Sequence, residues 1–283
     1  MIYYKILGIV AFIFIIYIIY DNSRVKLTKY IIEKNIHPDI DEINILQISD
    51  LHNTRFGKNQ SRIIKLIKKD YDFIFITGDL IDRKSTNIDI AMELVNALKG
   101  DIYFIQGNHE KGSDKYNELE KKLKENGVVV LNNSKVEFEH FEIVGIKDPN
   151  EYISPRERVD KDEKKEIIEN LKRFENPNKF QLLLSHRPEF FKLYEKYNYD
   201  VVFSGHAHGG HARIFNIPVL APDQGLFPKY AGGVFKSGNT IMINSKGLGN
   251  NFVWAKRIFN TPEIVEIKIR NTKIWDNFIY IVK

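Results

Sequence analysis

The sequence predicts an α/β protein in which a parallel-rich sheet with outer helices packs against a second sheet, behind an N-terminal membrane-spanning helix. Three observations lead there. Between residues 43 and 125, apolar runs of strand length alternate with helical patterns, the rhythm of parallel strands joined by crossover helices. The stretch 212–283 is strand-rich, punctuated by glycine and free of any long helical pattern, which is most simply a second sheet. Residues 2–20 are apolar except for Lys5.

The N-terminal run approaches the roughly 20 apolar residues that a spanning helix needs, and tyrosines stand at both ends, where membrane interfaces favour them. Asp21-Asn22-Ser23-Arg24 comes next instead of a small-residue cleavage site, so an uncleaved anchor is expected rather than a signal peptide. The run is apolar on every side, which argues against a helix half-buried in a soluble core. Arg24, Lys26 and Lys29 behind the span outweigh Lys5 and the terminal amine in front of it, and counted literally they keep the part that follows the span cytoplasmic. Single N-terminal anchors often export the domain they carry. The side is left open, with a lean to the extracytoplasmic face.

Three parts are expected: an anchor at 1–20, a charged juxtamembrane tether at 21–42 and one catalytic domain at 43–283. Within the domain a strand at 43–49 precedes a lysine-rich helix near 60–69. A strand at 72–77 precedes a helix near 87–98, with Asn87 as its N-cap and Gly100 beyond its end. A strand at 102–106 precedes a helix near 114–125. Short hairpin strands are expected at 128–145, a highly charged helix at 156–174, and two further strand-to-loop steps from residue 180. The chain has no cysteine, which excludes disulfides and thiolate-held zinc. Its net charge of +5 favours anionic partners, though dispersed surface lysine accounts for it equally well.

Chemistry concentrates where apolar runs end. Asp50-Leu51-His52, Gly78-Asp79-Leu80-Ile81-Asp82, Gly107-Asn108-His109-Glu110, Ser185-His186-Arg187 and Gly205-His206-Ala207-His208-Gly209-Gly210 each come directly after such a run. Buried parallel strands that end this way bring polar groups to one rim of a sheet. Carboxylate, amide and imidazole without thiolate suit divalent Mn, Fe or Zn. Asp50 with His52, and His206 with His208, lie two apart and share a face on extended backbone. Asp79 is placed to bridge two metals through its two oxygens. Any one of these residues alone is more often a satisfied polar group or a helix cap. Five of the eight histidines fall in these loops, however, and coincidence does not explain that.

The ordered set D-x-H, G-D-x-x-D, G-N-H-E, a lone His after a strand, and G-H-x-H resembles the calcineurin-like metallophosphoesterase superfamily over roughly residues 43–270. The resemblance implies a two-sheet β-sandwich flanked by helices, with two divalent metal ions at the strand ends. One ion would be held by Asp50, His52, Asp79 and His208. The other would be held by Asp79, Asn108, His186 and His206. The pair would lower the pKa of a bridging water and neutralise phosphate charge during in-line attack. By the same resemblance His109 is the catalytic histidine, serving the leaving oxygen, and Asp82 orients it. Arg83, Arg187 and His211 are candidate substrate contacts.

Ala221-Pro222-Asp223-Gln224-Gly225-Leu226-Phe227-Pro228-Lys229-Tyr230, Ser245-Lys246-Gly247-Leu248-Gly249 and Thr261-Pro262-Glu263-Ile264 look like the membrane-anchored bacterial phosphodiesterase branch. Some members of that branch are linked to UDP-2,3-diacylglucosamine hydrolysis. His211 departs from it, since glutamine usually stands there. Phe227, Lys229, Tyr230, Phe252, Trp254 and Lys256 form an aromatic and basic set that reads either as inter-sheet packing or as a lip for lipid. The expected activity is hydrolysis of a phosphodiester or pyrophosphate in a glycolipid or nucleotide-sugar type of substrate, with the membrane as partner. A nuclease, a broad phosphomonoesterase and a metal-binding scaffold are the alternatives. No contiguous nucleic-acid motif favours the first of them.

Overall fold

The computed structural model describes residues 2–149, 161–249, 256–272 and 279–282. In chain order the helix α1 (Ile2–Ser23) leads into strands β1 (Lys26–Lys34) and β2 (Glu42–Ile48), then the short α2 (Ser61–Ile64), β3 (Phe73–Ile76), α3 (Ile88–Val95), β4 (Ile102–Phe104), α4 (Asn108–Lys111) and α5 (Tyr116–Glu125). Then come β5 (Val129–Val130), β6 (Ser134–Glu137), β7 (Phe141–Ile146), α6 (Lys161–Phe174), β8 (Phe180–Ser185), α7 (Phe191–Lys196) and β9 (Val201–Ser204). Two small ribbons are next, β10 (Arg213–Ile214) with β11 (Ile217–Pro218), and β12 (Leu220–Ala221) with β13 (Gly225–Leu226). Strands β14 (Gly233–Ser237), β15 (Thr240–Asn244), β16 (Glu263–Asn271) and β17 (Ile279–Val282) complete the described chain.

The strands form a seven-stranded sheet, order β17-β1-β16-β2-β3-β4-β5, and a six-stranded sheet, order β14-β15-β9-β8-β7-β6. Strands β2 to β5 run parallel in the first, and β15, β9, β8 and β7 run parallel in the second. The inner faces close on one core holding Ile45, Phe75 and Ile267 from one sheet and Leu182, Phe203 and Ile243 from the other. Side chains of α3 and α5 cover the outer face of the first sheet, and those of α6 and α7 that of the second. Both faces of β3 and β8 are therefore buried, which is why FIFI and FQLLLS carry no polar alternation. The amide of Gln47 crosses between the sheets, donating to Ser204 O (2.9 Å) and Thr77 Oγ1 (3.1 Å). It ties together the strand ends that carry the motifs.

Two expectations change. Residues 21–42, expected as a tether, hold β1, which lies between β17 and β16. Thr28, Tyr30, Ile32 and Lys34 alternate inward, a period-two pattern hidden behind Lys26, Lys29 and Glu33. Buried Lys34 pairs with Asp200 (3.3 Å). The helix expected near 60–69 is a single turn at Ser61–Ile64. Lys65 and Lys69 would repel one turn apart, and left-handed Gln60 (φ 56°) spends its side-chain amide on Phe56 N and Thr54 O. Residues 156–160 of the charged helix lie outside the described residues, as do Phe252 and Trp254. As expected, Asn87 caps α3, its Oδ1 accepting from Ile90 N at 3.4 Å.

Candidate metal centre

The motifs stand directly after β2, β3, β4, β8 and β9, at the C-terminal ends of parallel strands in both sheets. Asp50 (φ 54°), His52 (φ 45°), Asp79 (φ 57°), His206 (φ 66°) and His208 (φ 47°) all have left-handed backbone. Their shared orientation therefore comes from strained turns, not from the extended strand end that the two-residue spacing implied. Such conformations cost of order 1–3 kcal/mol each and persist where the surroundings over-determine them. The surroundings here are close. A Cβ at Gly107 would lie 2.3 Å from Asp79 Oδ1, and one at Gly205 would lie 2.0 Å from Ser49 Oγ and 2.6 Å from Asp50 Oδ2.

Two groups of ligand atoms result. Asp50, His52, Asp79 and His208 each offer one atom, all within 4.8 Å of one another, and Asp79, His186 and His206 do the same. Asn108 joins the second group, its Oδ1 lying 2.9 Å from His206 Nδ1 and 3.2 Å from His186 Nε2. Asp79 belongs to both. Its Oδ1 is taken by the backbone N–H of His109 (2.9 Å). Its Oδ2 alone therefore faces both groups, 3.2 Å from His186 Nε2 and 3.5 Å from His52 Nε2. One oxygen of Asp79, not two, lies between the groups.

The donor set fits divalent metal on several counts. Asp79 Oδ2 is buried and makes no hydrogen bond. The Nε2 atoms of His52 and His208 face each other at 3.2 Å, a contact that a shared cation resolves. In the second group the nitrogens turned away from the centre are braced, as imidazole ligands usually are: His186 Nδ1 meets Thr77 O at 2.7 Å and His206 Nε2 meets Asp223 Oδ2 at 2.8 Å. Burial lowers the His186 pKa, but Asp79 outweighs it and raises His186 to about 10, so His186 carries a proton that a metal ion would displace. Burial holds His52 and His208 well below the ordinary imidazole range, leaving them neutral, as metal binding requires.

His109 lies beside this cluster, buried, with its ring edge-on to His52 at 4.3 Å between centroids. Its Nδ1 is 3.4 Å from Asp82 Oδ2. Asp82 Oδ1 accepts from Lys84 N (2.8 Å) and Ser85 N (3.2 Å). The bond to His109 is the first reason that the Asp82 carboxyl sits well below its usual range. Arg83 is half-buried next to it. His211 stacks on His208, with ring centroids 5.1 Å apart. Arg187, expected to contact phosphate, is buried and engaged elsewhere. Its Nε and Nη2 donate to Asp148 (2.6 and 3.0 Å) and its Nη1 to Asp223 (2.9 Å). It braces Asp223 and, through it, His206.

Sequence reasoning did not assign roles to Glu110, Asp223 or Arg257. Glu110 accepts from Asp79 N (2.7 Å), Gly107 N (2.9 Å) and Ile81 N (3.1 Å), fixing the β3 and β4 loops to each other. Burial, with Asp79 nearby, pushes its carboxyl up to about 7. Its place within G-N-H-E was the available signal. Asp223 belongs to the 221–230 motif but stands far in sequence from most of the site. Arg257 is fully buried, donating to Lys246 O and Gly249 O with Nη2 3.3 Å from His208 Nδ1, and nothing local marks it. Glu110→Ala should strip three buried N–H groups of their acceptor, at about 1–3 kcal/mol for each unsatisfied group. Thermal denaturation of the variant against the parent chain measures the loss, and an unchanged melting temperature would refute that role.

A family model, calcineurin-like phosphoesterase, matches residues 43–210. The chain belongs to that family and is a metal-dependent phosphoesterase, a hydrolase. It is 27% identical to an uncharacterised metallophosphoesterase of Aquifex aeolicus over 87% of this chain and 92% of the other. It is 30% identical to the uncharacterised metallophosphoesterase YkoQ of Bacillus subtilis, over 72% of this chain and 77% of that one. Among solved structures it resembles phosphopantetheinyl hydrolase of Mycobacterium tuberculosis (TM-score 0.49, 14% identity, 80% of this chain and 96% of that chain). Similar figures hold for NAD nucleotidase of Haemophilus influenzae (0.49, 17%, 86% and 49%).

Proposed function

We propose that the protein is a membrane-anchored phosphodiesterase or pyrophosphatase with two divalent ions, acting on a lipid-linked or nucleotide-linked substrate. The observation that carries this reading is Asp79 Oδ2, buried, without a hydrogen bond and facing both ligand groups. Asp50, His52, Asp79 and His208 would hold one ion, and Asp79, Asn108, His186 and His206 the other. When bound, such ions acidify water and neutralise phosphate oxygens. The protein supplies the rest. Asp82 engages His109 Nδ1. Against the pull of burial, Asp79 and Asp82 favour the protonated ring, whose Nε2–H would give a proton to the leaving oxygen. Glu110 holds the Asp79 loop against the Asn108 loop, fixing the carboxylate that both groups share. Arg83 and His211 stand at the edge of the cluster as phosphate contacts.

Membrane anchoring draws on α1, 22 residues long and apolar, whose large apolar side chains are left exposed by the rest of the protein. The full chain with added Mn should hydrolyse bis-p-nitrophenyl phosphate and lose that activity to chelator. Hydrolysis of p-nitrophenyl phosphate alone would favour a monoesterase. Salt-sensitive cleavage of RNA or DNA without diester turnover would favour a nuclease. Metal binding with no turnover of any ester would leave a scaffold.

A further inference from the structure

We propose that the rim of the catalytic domain beside α1 is seated in the bilayer interface, bringing the metal centre to the level of lipid headgroups. This rests on α1 being a membrane anchor, and it adds how the domain stands on the membrane. Only Arg24 and Val25 separate α1 from β1, so no flexible tether lifts the domain away. The end of α1 is fastened from both sides. Asn22 Nδ2 donates to Arg257 O (2.8 Å), Arg257 N donates to Asn22 Oδ1 (3.0 Å), and Thr261 Oγ1 donates to buried Asp21 (2.7 Å).

One side chain sets the depth. The ring of Phe259 lies 5.5 Å from that of Tyr17 and 5.9 Å from that of Phe14. At about 1.5 Å of rise per residue, Phe14 is about 9 Å below Tyr20 along the helix. The headgroup layer is roughly 5–8 Å thick on each side of the hydrocarbon. Tyr17 is about 4.5 Å below Tyr20 on the same count, so a span ending at Tyr20 carries Phe259, which contacts both rings, about 4–9 Å down and through most of the headgroup layer.

The surface next to Phe259 continues in the same character. Ala212 bridges Ile258, and Arg213 N donates to Ile258 O (2.9 Å), so β10 leaves alongside Phe259. Val219 N to Ala212 O and Phe227 N to Val219 O (both 2.9 Å) join the two ribbons. Outside α1 and apart from Val129, every large exposed apolar side chain among the described residues lies in this segment. Phe215 is 95% exposed, Phe227 71%, Leu226 69% and Phe259 53%. All three phenylalanines also have positive φ, between 47° and 52°, a costly backbone for a bulky side chain. At 215 and 227 neither packing nor backbone preference selects phenylalanine, whereas an interface that takes up apolar rings does. Exposed Lys229 and Lys256 stand within three residues of Phe227 and Phe259 in the chain, and their charge is complementary to anionic headgroups. The same loops reach the metal centre, since Asp223 between β12 and β13 holds His206 and Asn260 Nδ2 holds His208 O at 2.7 Å.

The absence of cysteine allows single nitroxide labels on the full chain. F215C, F227C, I15C in α1 and K121C on the distant α5 are each labelled and placed in vesicles of phosphatidylethanolamine and phosphatidylglycerol. Collision rates with oxygen and with a neutral nickel chelate report depth. The labels at 215, 227 and 15 should meet oxygen more than nickel, and the label at 121 the reverse. If 215 and 227 behave like 121 while 15 reports bilayer, the seating is wrong and the anchor stands. If 15 also reports water, the anchor reading fails and takes the seating with it. Labels at 215 and 227 shielded from both reagents would place a second protein copy there and overturn the proposal.

Discussion

Asp79→Asn is expected to lower turnover of bis-p-nitrophenyl phosphate by two to three orders of magnitude or more, roughly the loss seen when one fixed electrostatic contact to a transition state is removed. The expected loss is larger than for any single histidine because Asp79 is common to both ligand groups. The change keeps the size and shape of the side chain but removes its charge. Oδ1 can still accept from His109 N–H, so the loop should hold its form. What disappears is the anionic oxygen that faces His186 and His52. Metal content by mass spectrometry of the purified variant should fall in parallel with turnover. Full activity with metal retained would remove Asp79 from the centre and the proposed function with it.

His109→Ala should cost about 10²- to 10⁴-fold in turnover, the range for loss of a general acid, while leaving metal content near that of the parent. The two readouts separate this residue from the ligands, because its ring touches His52 and Asp82 but belongs to neither group around Asp79. Asp82→Asn should show a smaller loss, since it leaves the imidazole in place and removes only its partner. A substrate with a strongly acidic leaving group should recover part of the His109→Ala activity, because such a group departs without a proton. Equal losses on good and poor leaving groups would exclude the proton-donor role.

Much of this site was legible in the sequence because each motif is local. Asp50 with His52, Asp79 with Asp82, and His206 with His208 are fixed relative to their own strand ends, and parallel strands of one sheet must end on one rim. Their joint presence pointed to metal without any coordinate. The sequence was less informative where a partner arrives from far along the chain. Arg187 looked free to meet phosphate until Asp148 and Asp223 were seen on its guanidinium. Asp223 and Arg257 act on His206 and His208 from loops that no spacing links to them. Strand β1 was hidden because its outward charges looked like those of a solvated linker, and only pairing with β16 and β17 reveals its inward face.

The sequence by itself determined the class of fold, the family and the identity of the polar residues at the strand ends, since these depend on hydrophobic period and short-range order. The tertiary structure decided the rest. It set the left-handed turns that aim those residues, the single oxygen of Asp79 that lies between two groups, and the short rigid joint between α1 and the sheet. Those features depend on how two sheets and distant loops meet, and burial and close contact across the chain are not encoded in any local pattern.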